Sequence, residues 1–240
     1  MNNKTNLEVC KELAIEFLNF EPEPIDCPVP LLIQHPYISN AIVSYKDDNG
    51  QIRMANILEE PDKFEYTKSY ITQKIKKGSL DTIFALMLNK YHLAYLKYAK
   101  PFMSKEDFEK YLAYAWVASE NPNQDVNVSI NEFIQWFKNA DRNNLMEEDE
   151  LEYYNNLPDE VNVYRGIAVG RAEQNGLSWT CNYDTAKWFE NRFNTENQKG
   201  YIIKGTIEKN DIFAYFNGRN EDEILCNSKK IKNIERLKEN

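Results

Sequence analysis

Glycine is scarce in this chain, with 8 in 240 residues, and histidine is scarcer, with 2. So little glycine argues against glycine-rich phosphate loops as the main means of holding a nucleotide. His35 and His92 stand far apart without ligand-like neighbours, so both read as structural rather than catalytic or metal-binding. The four cysteines, Cys10, Cys27, Cys181 and Cys226, lack the spacing of a metal or redox pair. A chain of this size does not need disulfide staples, so they read as free thiols in a reducing compartment. No apolar run approaches the roughly 20 residues of a membrane span. Residues 1–18 are amphipathic and charged, without the apolar core of a signal peptide. The expected place is therefore the cytoplasm of the producing or host cell, away from the membrane.

Positive charge in excess is also missing. The formal net charge is −9, and residues 158–240 hold equal numbers of basic and acidic side chains, so the whole excess lies in 1–157. An acidic surface repels phosphate backbones, and nucleic acid is not expected as a partner. The balanced C-terminal part can more easily accept a small anion. Hydrophobic residues make up 42% and aromatics 13%, enough for a sizeable core and against long disorder.

The hydrophobic pattern changes twice along the chain. Residues 4–20 have helical spacing and end in a proline-rich stop at Pro22, Pro24, Pro28 and Pro30. Two apolar runs, 41–45 and 52–57, flank Asp47-Asp48-Asn49-Gly50, a hairpin signal. Residues 65–152 read as helical throughout. Ser104 with Asp107, and Ser129 with Glu132, mark helix starts. Glu147-Glu148-Asp149-Glu150 reads as a solvated helix start rather than a metal site. Trp116, Trp136 and the Tyr91/Tyr95/Tyr98 series read as ordinary packing.

After Leu157-Pro158-Asp159 come short strand-like runs at 161–164, 177–180, 201–207, 212–215 and 223–226. One helix interrupts them at 184–193, with Asp184 as its cap. The pattern predicts an α+β fold with a helical N-terminal region packed on a mixed or antiparallel sheet. The expected divisions are 1–64 (helix, proline-rich segment and hairpin), 65–157 (helical) and 158–240 (β-rich), with 65–240 as one folding unit. The strand region is short for an independent domain, so upstream helices must pack on it.

Three pieces of the last division carry chemistry. Val163-Tyr164-Arg165-Gly166 ends the first strand. Gly176-Leu177-Ser178-Trp179-Thr180 precedes the helix that carries Ala186, Trp188 and Phe189. Arg219-Asn220-Glu221-Asp222-Glu223-Ile224-Leu225 enters the last strand. Taken singly each is bland: a surface arginine, a common strand pair and a solvated acidic turn.

In this order and spacing they resemble the Arg-Ser-Glu class of mono-ADP-ribosyltransferases, a class that includes many bacterial toxins and phage-borne enzymes. The resemblance covers roughly 158–237. It implies a sheet core of that family's type, NAD as substrate and a protein acceptor, with arginine suggested by Glu221. Arg165 would hold the pyrophosphate in its planar fork, and Gly166 would let the backbone approach closely. Ser178 would hydrogen-bond and hold the strand that frames the nicotinamide, with Thr180 pointing the same way two residues on. Glu223 would stabilise the positive charge that develops on the ribose, as in glycoside hydrolysis. Glu221, if the segment is extended, shares a face with Arg219 and Glu223 and would align or deprotonate the acceptor.

The middle residue of the Ser178-Trp179-Thr180 step differs from the family's usual Ser-Thr-Ser, and Trp179 should face the core. The loop from Arg165 to Ser178 must be short, and Ala168, Gly170 and Gly176 should be exposed. Tyr215 and Phe216 are expected to be buried, with contact to nicotinamide or target as the other use. Two further functions fit the same residues: a non-catalytic protein-binding module on this fold, and an NAD glycohydrolase that transfers to water.

Overall fold

The structure is a computed structural model that describes residues 3–168, 170, 175–192, 194–195 and 199–237. The chain forms two compact units, Met1–Phe108 and Glu109–Asn240. The segments at 1–64, 65–157 and 158–240 are blocks of sequence texture, whereas these units are blocks of contacts.

The first unit contains α1 (Leu7–Leu18), β1 (Glu23–Pro24), β2 (Ile33–Gln34), β3 (Ile42–Lys46), β4 (Ile52–Asn56), α2 (Phe64–Lys77), α3 (Leu80–Leu86) and α4 (His92–Ala99). Asn6 caps α1 by accepting from the Val9 amide, and the helix buries Cys10, Ala14, Phe17 and Leu18. β3 and β4 form the expected antiparallel hairpin, paired from Ile42 opposite Asn56 to Lys46 opposite Ile52. Gly50 closes its turn at φ 74°, a conformation that glycine adopts without penalty. Ile33, Ala41, Val43, Ile57 and Phe64 form a small core beneath the hairpin. The two histidines are buried here. His35 accepts from the Tyr37 amide, and His92 Nε2 lies 2.9 Å from the carbonyls of Phe84 and Met87.

α5 (Lys105–Ala118) carries the boundary between the units. In the second unit it is followed by α6 (Ile130–Asn139), α7 (Arg142–Leu145), α8 (Glu148–Asn156), β5 (Glu160–Ile167), β6 (Ser178–Thr180), α9 (Tyr183–Asn191), β7 (Tyr201–Glu208), β8 (Ile212–Phe216), β9 (Glu223–Cys226) and β10 (Lys232–Arg236). Six strands make one sheet in the order β10-β7-β5-β6-β9-β8, with every pair antiparallel. The fold is α+β with antiparallel sheets.

Helices α6, α7 and α8 pack against β8, the strand at one edge of this sheet. Ser129 and Glu132 form the expected capping box on α6, whose buried face carries Phe133, Trp136 and Phe137. Phe137 stacks on Phe213 of β8. Arg142 of α7 donates to the Ile212 carbonyl at 2.6 Å, and the Tyr215 amide lies 3.2 Å from the Met146 sulfur. Glu150 is buried rather than solvated. Its two oxygens accept from the amides of Glu147 and Asn217, so the acidic run is a helix cap that also grips the end of β8.

Several local readings need correction. α9 starts at Tyr183, and Asn182, not Asp184, caps it by accepting from the amides of Asp184 and Thr185. Its expected end, Phe193, lies outside the described residues. β5 runs to Ile167, so Arg165 and Gly166 sit within the strand rather than at its end. β10, an exposed edge strand next to β7, has no apolar alternation to announce it. Of the three, Ala168 and Gly176 are buried and Gly170 is exposed; residues 169 and 171–174 lie outside the described residues.

A Cβ on Gly166 would lie 2.1 Å from the Ala186 carbonyl oxygen and 2.6 Å from the Glu190 amide, because α9 crosses β5 at that point. Gly166→Ala should therefore destabilise the second unit by about 2–3 kcal/mol, as overpacking does. All four tryptophans, Trp116, Trp136, Trp179 and Trp188, belong to this unit, so urea unfolding followed by tryptophan fluorescence reads it selectively. An unchanged midpoint would contradict the packing described.

The first unit should weaken on acidification. Burial lowers the pKa of both His35 and His92 below the ordinary 6.5. The unfolded chain then takes up protons below pH 6.5 that the folded unit refuses, and stability falls with pH. Amide hydrogen exchange in α1 and α4 should accelerate between pH 7 and pH 5 relative to the intrinsic rate. Protection that is flat across that interval would refute it.

Candidate functional site

The Ser178-Trp179-Thr180 step is the hinge of the site. β6 lies between β5 and β9, with Tyr164 opposite Thr180 and Thr180 opposite Glu223. Alternation along β6 sends Ser178 and Thr180 to the face that carries Glu223, and Trp179 to the other. Trp179 is buried, with its indole N–H donating to the Gly176 carbonyl at 3.1 Å. The expectation for this residue holds.

A cleft of about 540 Å³ opens over this face. That size lies in the range of roughly 300–1,000 Å³ common to small-molecule and cofactor sites. Arg165, Gly166, Ser178, Thr180, Glu221 and Glu223 all line it, together with Arg219 and Phe189. The three pieces that stand apart in sequence thus converge on one cavity. Three arginines, Arg165, Arg192 and Arg219, face three glutamates, Glu120, Glu221 and Glu223.

Glu223 lies at the inner end, 4% exposed. Trp116 Nε1 donates to its Oε1 at 3.0 Å, and the Ser178 side chain hydrogen-bonds to the same carboxyl. Burial pushes the Glu223 pKa up. The hydrogen bonds from Ser178 and Trp116 and the positive charge of Arg219 oppose that rise, while Glu221 adds to it. Trp116, read from sequence as plain packing, is wedged edge-on between Phe133 and Phe137 and spends its one polar atom on Glu223. A buried indole N–H calls for an acceptor, but nothing near Trp116 in sequence identifies a partner 107 residues away.

The acidic turn differs from the extended segment expected. Asn220 and Asp222 adopt φ of 56° and 47°, so the chain folds back before β9 begins. Arg219, Glu221 and Glu223 meet through this turn rather than by strand alternation. Asp222 fixes it: Oδ1 accepts from Tyr215 Oη at 2.7 Å, and Oδ2 accepts from Asn182 Nδ2 at 3.0 Å. Tyr215 and Phe216 are buried, and Tyr215 stacks on Tyr153 with ring centroids 4.1 Å apart. Thr180 donates its hydroxyl to the Glu221 carbonyl at 2.8 Å, so it braces the turn. Glu221 forms an ion pair with Arg219 at 2.9 Å.

Arg165 and Gly166 both have structural duties beside the cleft. The Arg165 guanidinium donates to the Ser178 carbonyl, strapping β5 to β6. It lies over Gly176, where a Cβ would come within 2.2 Å of Nη2. The close approach that Gly166 permits is that of α9.

The other wall comes from residues 120–124, a short turn within the stretch 65–152 that the sequence pattern marks as helical throughout. Asn123 Oδ1 accepts from the Leu177 amide at 2.7 Å and pins this wall to the start of β6. Glu120 reaches Arg192 at 3.4 Å, and Arg192 lies over the Trp188 ring. Among the described residues no cluster of histidine, cysteine or acidic side chains could hold a metal ion, and no helix is long and apolar enough to cross a membrane. No protein-family model matches the chain, and neither does any curated protein or solved structure.

The raised pKa of Glu223 has a sign that can be read in stability. Its charged form is penalised in the fold, so stability present below the ordinary 4.5 is lost as pH rises through the raised value. Glu223→Gln keeps an acceptor for Trp116 and supplies a donor for Ser178 without the charge. The variant should melt above the wild type at pH 8, and the gap should close towards pH 4. A gap that does not change with pH, or a variant less stable at pH 8, would count against a buried charged carboxylate.

Proposed function

We propose that this protein is a mono-ADP-ribosyltransferase that moves ADP-ribose from NAD to a protein side chain and releases nicotinamide. Its antiparallel sheet would then be a core of the ADP-ribosyltransferase type. The observation that carries the reading is the buried Glu223 carboxyl, held by Ser178 and Trp116 at the inner end of a cleft whose rim bears Arg165 and Glu221.

The chemistry suits the residues. Breaking the bond between nicotinamide and C1′ of the ribose sends the electron pair out with nicotinamide and leaves positive charge on the sugar. A carboxylate in a low-dielectric cleft stabilises that charge more than water does. Hydrogen bonds from Ser178 and Trp116 keep Glu223 in one orientation, so little reorganisation is needed as the charge appears. The acceptor nitrogen or oxygen bonds to C1′ and passes its proton to Glu221. Arg165 offers the pyrophosphate a guanidinium already set by its strap to β6. Phe189 supplies apolar surface for a flat ring. The balanced charge of the cleft tolerates a dinucleotide.

The other two readings use the same residues differently. In an NAD glycohydrolase water takes the place of the acceptor. In a binding module the cleft holds NAD or nothing, and the acidic N-terminal part engages a basic protein. The paired carboxylates at one cleft favour transfer. All four cysteines are free thiols, which fits a cytoplasmic effector of phage or bacterial origin.

Incubation with NAD labelled in its adenylate half, and a bacterial lysate as acceptor source, should label protein and release nicotinamide. Glu223→Gln should lower kcat by about 10²–10³, the usual loss on removing a transition-state charge stabiliser. Arg165→Lys should chiefly raise the KM for NAD, by roughly tenfold, because a point charge replaces the fork. Nicotinamide release without protein label would assign the glycohydrolase. NAD binding without turnover would assign the binding module.

A further inference from the structure

We propose that Arg219 is an internal occupant of the acceptor subsite, and that a cationic acceptor must displace its guanidinium from Glu221 before it can bind. The proposal rests on the reading of Glu221 as the carboxylate that faces the acceptor. Arg219 Nη2 lies 2.9 Å from Glu221 Oε2, and the two side chains are 38% and 22% exposed. Its Nη1 donates to the Ser119 carbonyl at 3.3 Å. The turn sets this up. Asn220, at φ 56° and with its amide donating to the Asn217 carbonyl at 2.9 Å, folds Arg219 back over the carboxylate two residues on.

An ion pair this exposed is weak and exchanges readily. Replacing one guanidinium by another breaks and forms the same kind of contact, so an arginine-like acceptor can take over Glu221 with little net loss. A neutral nucleophile offers a single hydrogen bond in place of an ion pair and competes less well. Arg219 therefore biases the subsite towards cations, a form of selection by displacement rather than by added contacts. It acts through Glu221 and is a positioning residue, not a catalytic one.

The test is a titration of agmatine, a soluble guanidinium compound, into the full chain without NAD, followed by amide chemical shifts. Removal of the occupant in Arg219→Ala should tighten agmatine binding by about two- to fivefold, the range expected for an exposed ion pair. Arg219→Lys, which retains a cation over Glu221, should return the affinity towards the wild type. Glu221→Gln should abolish saturable binding. Agmatine affinity that is unchanged or weaker in Arg219→Ala overturns the proposal. Nicotinamide release from NAD, measured on the same samples, is a separate readout. Its absence in the wild type overturns the transferase reading, while tighter agmatine binding in Arg219→Ala would still establish the occupied subsite.

Discussion

A carboxyl group shut away from water has to be satisfied, neutral or both, and the buried Glu223 side chain imposes that demand on the second unit. Its partners come from separate parts of the unit. Trp116 lies on the C-terminal half of α5 and is held by the aromatic face of α6. Ser178 lies on β6, whose pairing with β9 puts it on the same face as Glu223. Arg219 supplies positive charge from the turn before β9. If α5 or α6 shifts, Glu223 loses a donor; if β6 slips by one residue, Ser178 turns to the opposite face. α5, which carries Trp116, and α6, which holds it, are thus tied to the site and not merely a support for the sheet.

The few glycines are placed where this arrangement needs them. Gly166 lets α9 cross β5 in backbone contact, and Gly176 leaves room for the Arg165 guanidinium. Neither forms a phosphate loop. Burial of Glu223 works against stability at neutral pH, and sites that keep a strained or desolvated group commonly do so for function. The turn between Arg219 and Asp222 has two left-handed residues, Asn220 and Asp222, neither of them glycine. Its carboxylate ties to Tyr215 and Asn182 hold the two glutamates at a fixed relation.

The sequence shows the alternation of elements clearly, because period-2 and period-3.6 patterns and capping residues are local. The hairpin at 42–56, the capping box at Ser129 and the strand at 223–226 are all visible in this way. The convergence of Arg165, Ser178 and Glu223 is visible only as an ordered set of short pieces, and the sheet register brings it about. What stays hidden depends on contacts distant in sequence. Trp116 looks like any core aromatic, Asn123 like any turn residue, and Glu150 like any surface acid. The turn at Glu221 is hidden for another reason: Asn220 and Asp222 tolerate positive φ, but their composition does not demand it.

For Glu223 to act as proposed, NAD must lie with its ribose against it. Glu223→Gln should bind NAD without consuming it, so a crystal structure of that variant with NAD tests the claim most directly. The nicotinamide ribose should sit within hydrogen-bond distance of the substituted side chain and of Ser178, with the pyrophosphate against Arg165. NAD bound elsewhere, or a cleft that remains empty at saturating NAD, would contradict it.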